Sequence, residues 1–274
     1  MLKRKMFRAA RLAEDRLRQL LRLNERPERL ERSAQEFWSR PIGADNSFWW
    51  HARGSTPFAG EDDVKWQMIG RRHTGMWQEF ARSVGIQTPV KRIVDWGCGG
   101  GANAVAFAPE CEEMWGADVS ADALKECERQ VQATGAACRF NPVQIEVSQP
   151  EAALQVVPRG IDLFHCLYVF EVFPSQEYGL RILRLAHELL RPGGVAFIQI
   201  KFETGSWRTR SRRWGYTRGV AHMTSYRVEE FWERAEACGF EPKTMTLLPK
   251  PPEVPDTRYA YYFLRKPTDQ PTSS

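Results

Sequence analysis

Four glycines behind one aspartate are the residues of this chain best suited to chemistry. In Asp95-Trp96-Gly97-Cys98-Gly99-Gly100-Gly101, the preceding apolar pair Ile93-Val94 reads as a buried strand that delivers a carboxylate to its C-terminal end and then turns tightly. Glycine opens backbone conformations closed to other residues and lets the chain approach a ligand closely, which marks a nucleotide-type cofactor loop. Two ligand chemistries compete for it. Gly97, Gly99 and Ala102 satisfy the spacing of a dinucleotide loop, whose pyrophosphate wants bare N–H groups and a helix N-terminus. Asp95, ahead of the first glycine, suits a ligand that carries positive charge. Asp118, about twenty residues beyond the loop, is placed for a ribose diol under either reading.

The elements that must position these residues alternate along the chain. A helix over Asn103 to Ala108, a strand over Glu113 to Val119 and a helix over Ala121 to Ala133 are expected, then a strand over Cys138 to Ile145. Pro142 cannot donate to a ladder and puts that third strand at a sheet edge. A fourth strand spans Ile161 to Val169, a helix Gln176 to Leu190, and a strand too apolar to face water spans Val195 to Phe202. Helix Val228 to Cys238 and strands Glu241 to Leu248 and Arg258 to Lys266 complete the series.

The ordered set from Lys91 to Lys266 resembles the class I S-adenosylmethionine-dependent methyltransferases. Besides the glycine loop, the resemblance rests on Phe170-Glu171-Val172-Phe173-Pro174 after the fourth strand, the Leu190-Arg191-Pro192-Gly193-Gly194 turn, and the terminal strand pair. It implies an α/β fold: a doubly wound seven-stranded, mostly parallel sheet of Rossmann-like type, its last strand antiparallel, with an N-terminal helical cap. It also implies S-adenosyl-L-methionine as cofactor. Asp95, Trp96, Gly97, Cys98, Gly99 and Gly101 would cradle its methionine part, Asp118 and Val119 its ribose, and Glu146 or Gln144 its adenine. Cys166 and Leu167 would lie at the end of the fourth strand. No metal is expected, although Glu171 could bind one as in some relatives.

Composition fits one such domain with an extension. A chain of 274 residues with 42% hydrophobic content can bury a full core, and no apolar run reaches the roughly 20 residues of a membrane span. Six cysteines without a C-x-x-C pair read as reduced thiols of a cytoplasmic protein. The expected divisions are 1–36, a basic helical arm; 37–88, a tryptophan-rich cap; 89–267, the cofactor domain; and 268–274, a frayed tail. Residues 1–32 hold eleven Lys or Arg against five Asp or Glu, with Leu2, Met6, Ala10, Ala13, Leu17, Leu20 and Leu21 at helical spacing. Such an arm packs on its own domain or a partner subunit, or lies on an anionic membrane surface. The cap carries Trp38, Trp49, Trp50, Trp66 and Trp77, of which Trp50 is the candidate for stacking on an acceptor and the others for packing.

Between the fifth strand and the next helix, Arg208, Arg210, Arg212 and Arg213 are interleaved with Trp207, Trp214 and Tyr216. Topology puts them on the cofactor side, where fork-like guanidinium contacts would hold an acceptor bearing phosphate or carboxylate. An acceptor hydroxyl calls for a general base. His222 ranks first, Glu171 second and His165 third, with Thr224 or Ser225 expected to cap the helix that follows. O-methylation of a small-molecule or glycan acceptor is the leading expectation. The alternatives are a methyltransferase for RNA or another macromolecule and, further off, an NAD-dependent oxidoreductase or a non-catalytic cofactor binder.

Overall fold

Residues 10, 13–40, 61–218, 220–248 and 258–268 are described by the computed structural model. Strands β1 (Val90–Trp96), β2 (Cys111–Asp118), β3 (Arg139–Gln144), β4 (Ile161–Cys166), β5 (Leu190–Lys201), β6 (Glu241–Leu248) and β7 (Tyr259–Arg265) form one sheet. Their order is β3-β2-β1-β4-β5-β7-β6. All neighbouring pairs are parallel except those of β7, which runs antiparallel to β5 and β6. The chain winds outward in opposite directions from β1 and β4, so a crevice opens at their C-terminal ends. Pro142 sits in the edge strand β3, as its missing N–H requires.

Alternation divides each central strand between two cores. Val94, Trp96, Phe164, Cys166, Ile198 and Ile200 point to one face, covered by α6 (Gln176–Leu189) and α7 (Val228–Ala237). Ile93, Leu163, Val195 and Phe197 point to the other, beneath α3 (Glu61–Ser83), α4 (Ala102–Phe107) and α5 (Ala121–Ala133). Helix α3 crosses α4 so closely that a Cβ on Gly70 would lie 2.2 Å from the Ala102 carbonyl oxygen. The cap helix therefore rests directly on the helix that follows the glycine loop.

The N-terminal arm is built into the molecule. Helix α2 (Pro27–Trp38) starts on a proline, whose missing N–H costs nothing there, and buries Leu30, Ala34 and Phe37. Its Gln35 side chain accepts a 2.7 Å hydrogen bond from the Val147 N–H just past β3, and Trp38 Nε1 donates to the Tyr216 hydroxyl at 2.7 Å. A preceding helix, α1 (13–20), turns its polar side inward. Asp15 accepts from Trp214 Nε1 and pairs with Arg212, each at 3.1 Å, while Gln19 donates to the Trp207 carbonyl. Arg22, in a left-handed conformation at φ 52°, ends α1, and Leu23 N–H closes back on the Arg18 carbonyl.

Three expectations need correction. Strand β4 stops at Cys166 because Tyr168 adopts φ 61°, which no extended strand tolerates. Strand β5 begins at Leu190, before the Pro192-Gly193-Gly194 turn, because Gly193 N–H and the Gly194 carbonyl already pair with Lys266 at 2.9 Å. Helix α7 is capped by Arg227 without a side-chain bond. Thr224 instead donates to the Phe173 carbonyl at 2.8 Å and Ser225 to Glu203 at 3.0 Å.

Candidate active site

The loop after β1 is held in left-handed conformations at Gly97, Gly99 and Gly101, with φ values of 77°, 51° and 98°. Gly97 N–H and Cys98 N–H both donate to the Ala117 carbonyl, at 2.7 and 3.1 Å. From the end of β2, Asp118 Oδ2 accepts the Gly99 N–H at 3.0 Å and Oδ1 the Ser120 N–H at 2.9 Å. One carboxylate thus ties the loop to the neighbouring strand. Burial raises its pKa, and the backbone donors at Ser120, Gly99 and Val119 work against that rise. The exit of β4 presses on the same loop. A Cβ at Gly97 would stand 2.5 Å from Val169 Cγ2.

Asp95 lies beneath the loop, 1% exposed, with Oδ1 3.3 Å from His165 Nδ1 and Oδ2 without a hydrogen-bond partner. Burial, then the Asp118 charge, pushes its carboxyl well above the usual range. His165 is 0% exposed, stacks on Phe107 at 4.5 Å, and is lowered to about 3 by burial and then by His73. It is therefore a neutral core residue and not a base facing an acceptor, because strand alternation turns it under α4.

The pair gives a pH signature with two signs. His165 titrates near 6.5 when unfolded and about 3 when folded, so its contribution to stability is whole above about pH 6.5 and is lost as pH falls toward 3. Asp95 acts oppositely: its contribution is present below the unfolded 3.8 and is lost as pH rises through its elevated folded value. Against a His165→Phe variant, the wild type is expected to lose up to ~1.4 kcal/mol per pH unit across the histidine window. Urea titrations at successive pH values check this, and parallel profiles would contradict it.

Several cofactor candidates turn their side chains into the core. The Trp96 ring stacks on Phe164 in the core, Cys98 is buried against Cys127, and the Cys166 and Leu167 side chains are buried in opposite cores. Val119 is half-buried beside Asp118, while Gln144 at the end of β3 and Glu146 just past it are exposed. Glu171 is buried in the turn 170–172, and its carbonyl accepts the Thr224 N–H at 3.1 Å. The turn carrying His222 follows alongside, with His222 exposed and Nδ1 3.4 Å from Arg258.

Arg208, Arg210 and Arg213 are exposed. Arg212 is half-buried, pairs with Asp15 and has Trp214 under its guanidinium at 5.7 Å. Trp66 and Trp77 are buried packing residues; Trp49 and Trp50 lie outside the described residues. Among the described residues, no three His, Cys, Asp or Glu side chains converge as a metal site.

Sequence reasoning missed a buried polar chain beside the crevice. His73 Nδ1 lies 2.7 Å from Asn103 Oδ1 and His73 Nε2 3.3 Å from the Tyr261 hydroxyl. The Tyr261 hydroxyl is in turn 3.3 Å from that of Tyr168, whose N–H donates to Gln199. The Asn103 oxygen facing Nδ1 is an acceptor, so that ring nitrogen donates to it. These residues come from α3, α4, β7 and the end of β4, and no spacing in the sequence joins them.

Comparison with known proteins follows the same outline. Residues 68–244 match a family model described as a methyltransferase domain. A ubiquinone biosynthesis O-methyltransferase of Yersinia pestis (strain Pestoides F) is 27% identical over 163 residues, spanning 59% of this chain and 59% of that protein. The chain thus matches less than two thirds of the length of these curated relatives. An S-adenosylmethionine-dependent methyltransferase from Clostridium acetobutylicum ATCC 824 superposes with a TM-score of 0.54 at 14% identity, covering 74% of this chain and 92% of that one. The N-methyltransferase NodS from Bradyrhizobium japonicum WM9 gives 0.52 at 15% identity, over 75% and 99%. At such identities the two structures speak for the fold alone.

Proposed function

Since the chain belongs to the methyltransferase-domain family, within the class I S-adenosylmethionine-dependent methyltransferases, we propose that it O-methylates a small-molecule acceptor. The observation that carries this reading is the loop of Asp95 to Gly101, with its unpartnered Asp95 oxygen beneath and Asp118 beside it. A buried carboxyl oxygen left without a donor is placed to accept an N–H from a cationic ligand, whose charge would offset the burial and the Asp118 charge that hold its pKa up. Gly97, Gly99 and Gly101 would admit the amino-acid part, and Asp118 with Val119 the ribose. When bound, the cofactor supplies a methyl group on a sulfonium, a leaving group that needs no further activation. The arm (1–36) and cap (37–88) are read as accessory to the domain of 89–267.

The chain's remaining task is to orient the acceptor, exclude water and take its proton. Glu171 and His222 stand at the same end of the sheet. Tyr168 is one residue before Val169, whose side chain a Cβ on Gly97 would meet. The Tyr261 hydroxyl donates to the Tyr168 oxygen at 3.3 Å, and His73 Nε2 lies 3.3 Å from the Tyr261 oxygen. Tyr168, held in this way, would orient the acceptor hydroxyl, and Glu171 or His222 would take its proton. The name of the Yersinia relatives supports oxygen as the methylated atom. A glycan or anionic acceptor has weaker support, since Arg212 is engaged by the arm.

Isothermal calorimetry with S-adenosylhomocysteine and with NAD tests the cofactor. Binding of the first alone is expected, and binding of NAD alone would overturn the reading. Tritiated-methyl transfer to phenolic, glycan and RNA acceptors then tests the acceptor class. Preference for RNA, with a steep salt dependence, would favour the macromolecular alternative.

A further inference from the structure

Helix α1 is docked the wrong way round for a soluble amphipathic helix. Glu14, Asp15, Arg18 and Gln19 are half-buried, whereas Leu17, Leu20, Leu21 and Leu23 are 55%, 63%, 59% and 48% exposed. Leaving one such side chain in water forgoes ~1.5–3 kcal/mol of transfer free energy. These four make up most of the seven exposed large apolar side chains among the described residues, and they occupy one helix face and the turn after it. Clustering of this kind marks a surface that another phase or molecule covers.

The surroundings of that face fix the charge of what covers it. The Trp207 indole, half-buried, has Arg16 of α1 over it at 5.3 Å and Arg208 of the loop at 5.5 Å, both exposed. Two guanidinium groups sharing one ring repel each other, and a bound anion would relieve that repulsion. Arg22 and Arg26 beyond the helix, and Arg210 and Arg213 along the loop, are exposed too. Docking α1 on the 207–216 loop thus brings two basic segments, nearly 200 residues apart in sequence, onto one surface. Their attachment uses Asp15 and Glu25, the latter accepting the Gly215 N–H at 3.1 Å, so two of the arm's acids are already engaged.

We propose that this face is a docking surface for an anionic lipid bilayer. The leucines and the Trp207 edge enter the headgroup boundary, and Arg16, Arg22 and Arg208 pair with lipid phosphates. No helix among the described residues is long and apolar enough to cross a membrane, so the contact is peripheral. A nucleic acid would use the arginines and leave the leucines uncovered; a second copy of the chain would cover the leucines and leave like charges facing one another.

The test is co-sedimentation of the full-length protein with vesicles of phosphatidylcholine, alone or mixed with phosphatidylglycerol. Binding to the mixed vesicles only is expected, falling at least about tenfold in a Leu17→Ser/Leu20→Ser/Leu21→Ser variant and again in Arg16→Glu. Both variants should keep wild-type affinity for S-adenosylhomocysteine, which shows that the domain is folded. The proposal is overturned if the wild type ignores mixed vesicles or if the leucine variant binds them equally. It is also overturned if the leucine variant merely turns a dimer into a monomer in sedimentation equilibrium, or if RNA displaces the vesicles while binding both variants unchanged.

Discussion

A Gly97→Ala variant is expected to bind S-adenosylhomocysteine about a hundredfold more weakly than wild type and to melt at a lower temperature. Two costs combine at this residue. A left-handed backbone at φ 77° costs an L-residue ~1–2 kcal/mol, and a methyl group 2.5 Å from Val169 Cγ2 adds ~1–3 kcal/mol of overpacking. The loop can relieve both only by moving away from β4, which opens the cradle. A total of ~3 kcal/mol corresponds to about two orders of magnitude in affinity. Val169→Ala in the same chain removes the clash and leaves the backbone cost, so the double variant should recover part of the affinity. Wild-type affinity in the single variant, or no recovery in the double, would show that the loop is not clamped between β4 and β2 as described.

The second large effect concerns turnover. Tyr168→Phe removes only a hydroxyl, keeps the ring against Tyr259 at 5.1 Å, and leaves the N–H bond to Gln199 in place. If Tyr168 orients the acceptor hydroxyl, kcat should fall about a hundredfold while S-adenosylhomocysteine affinity stays near wild type. His73→Gln should lower kcat less, because His73 reaches Tyr168 only through Tyr261. Glu171→Gln and His222→Ala complete the panel. A Tyr168→Phe enzyme as fast as wild type would remove Tyr168 from the acceptor site.

Much of the fold could be read from local chemistry. Asp95 to Gly101 is a strand, turn and carboxylate within seven residues, and Pro142 identified an edge strand by itself. Ala121–Ala133 and Glu241–Leu248 have the expected bounds because Ser120 caps the first and pairing to β7, with one register shift between Pro242 and Thr244, defines the second. What resisted reading was non-local or contrary to periodicity. Nothing in Leu167-Tyr168-Val169 announces a left-handed tyrosine, so the expected fourth strand runs three residues past the observed end at Cys166. His165 looked like a base because strand alternation could have turned it either way. Helical spacing places Leu17, Leu20 and Leu21 on one face, but only the partners of Asp15 and Gln19 show that this face looks outward.

The arm's attachment also sets an order of events during synthesis. Trp38 meets Tyr216 across 178 residues, Glu25 meets Gly215 across 190, and Asp15 meets Trp214 across 199. The arm is made before its berth, so it stays unmoored while β1 to β5 assemble beneath it. Closing contacts over such a span costs loop entropy that grows only slowly with its length. The arm is thus a late-docking unit that, once seated, buries Leu30, Ala34 and Phe37 and adds the bonds from Val147 to Gln35 and from Trp38 to Tyr216.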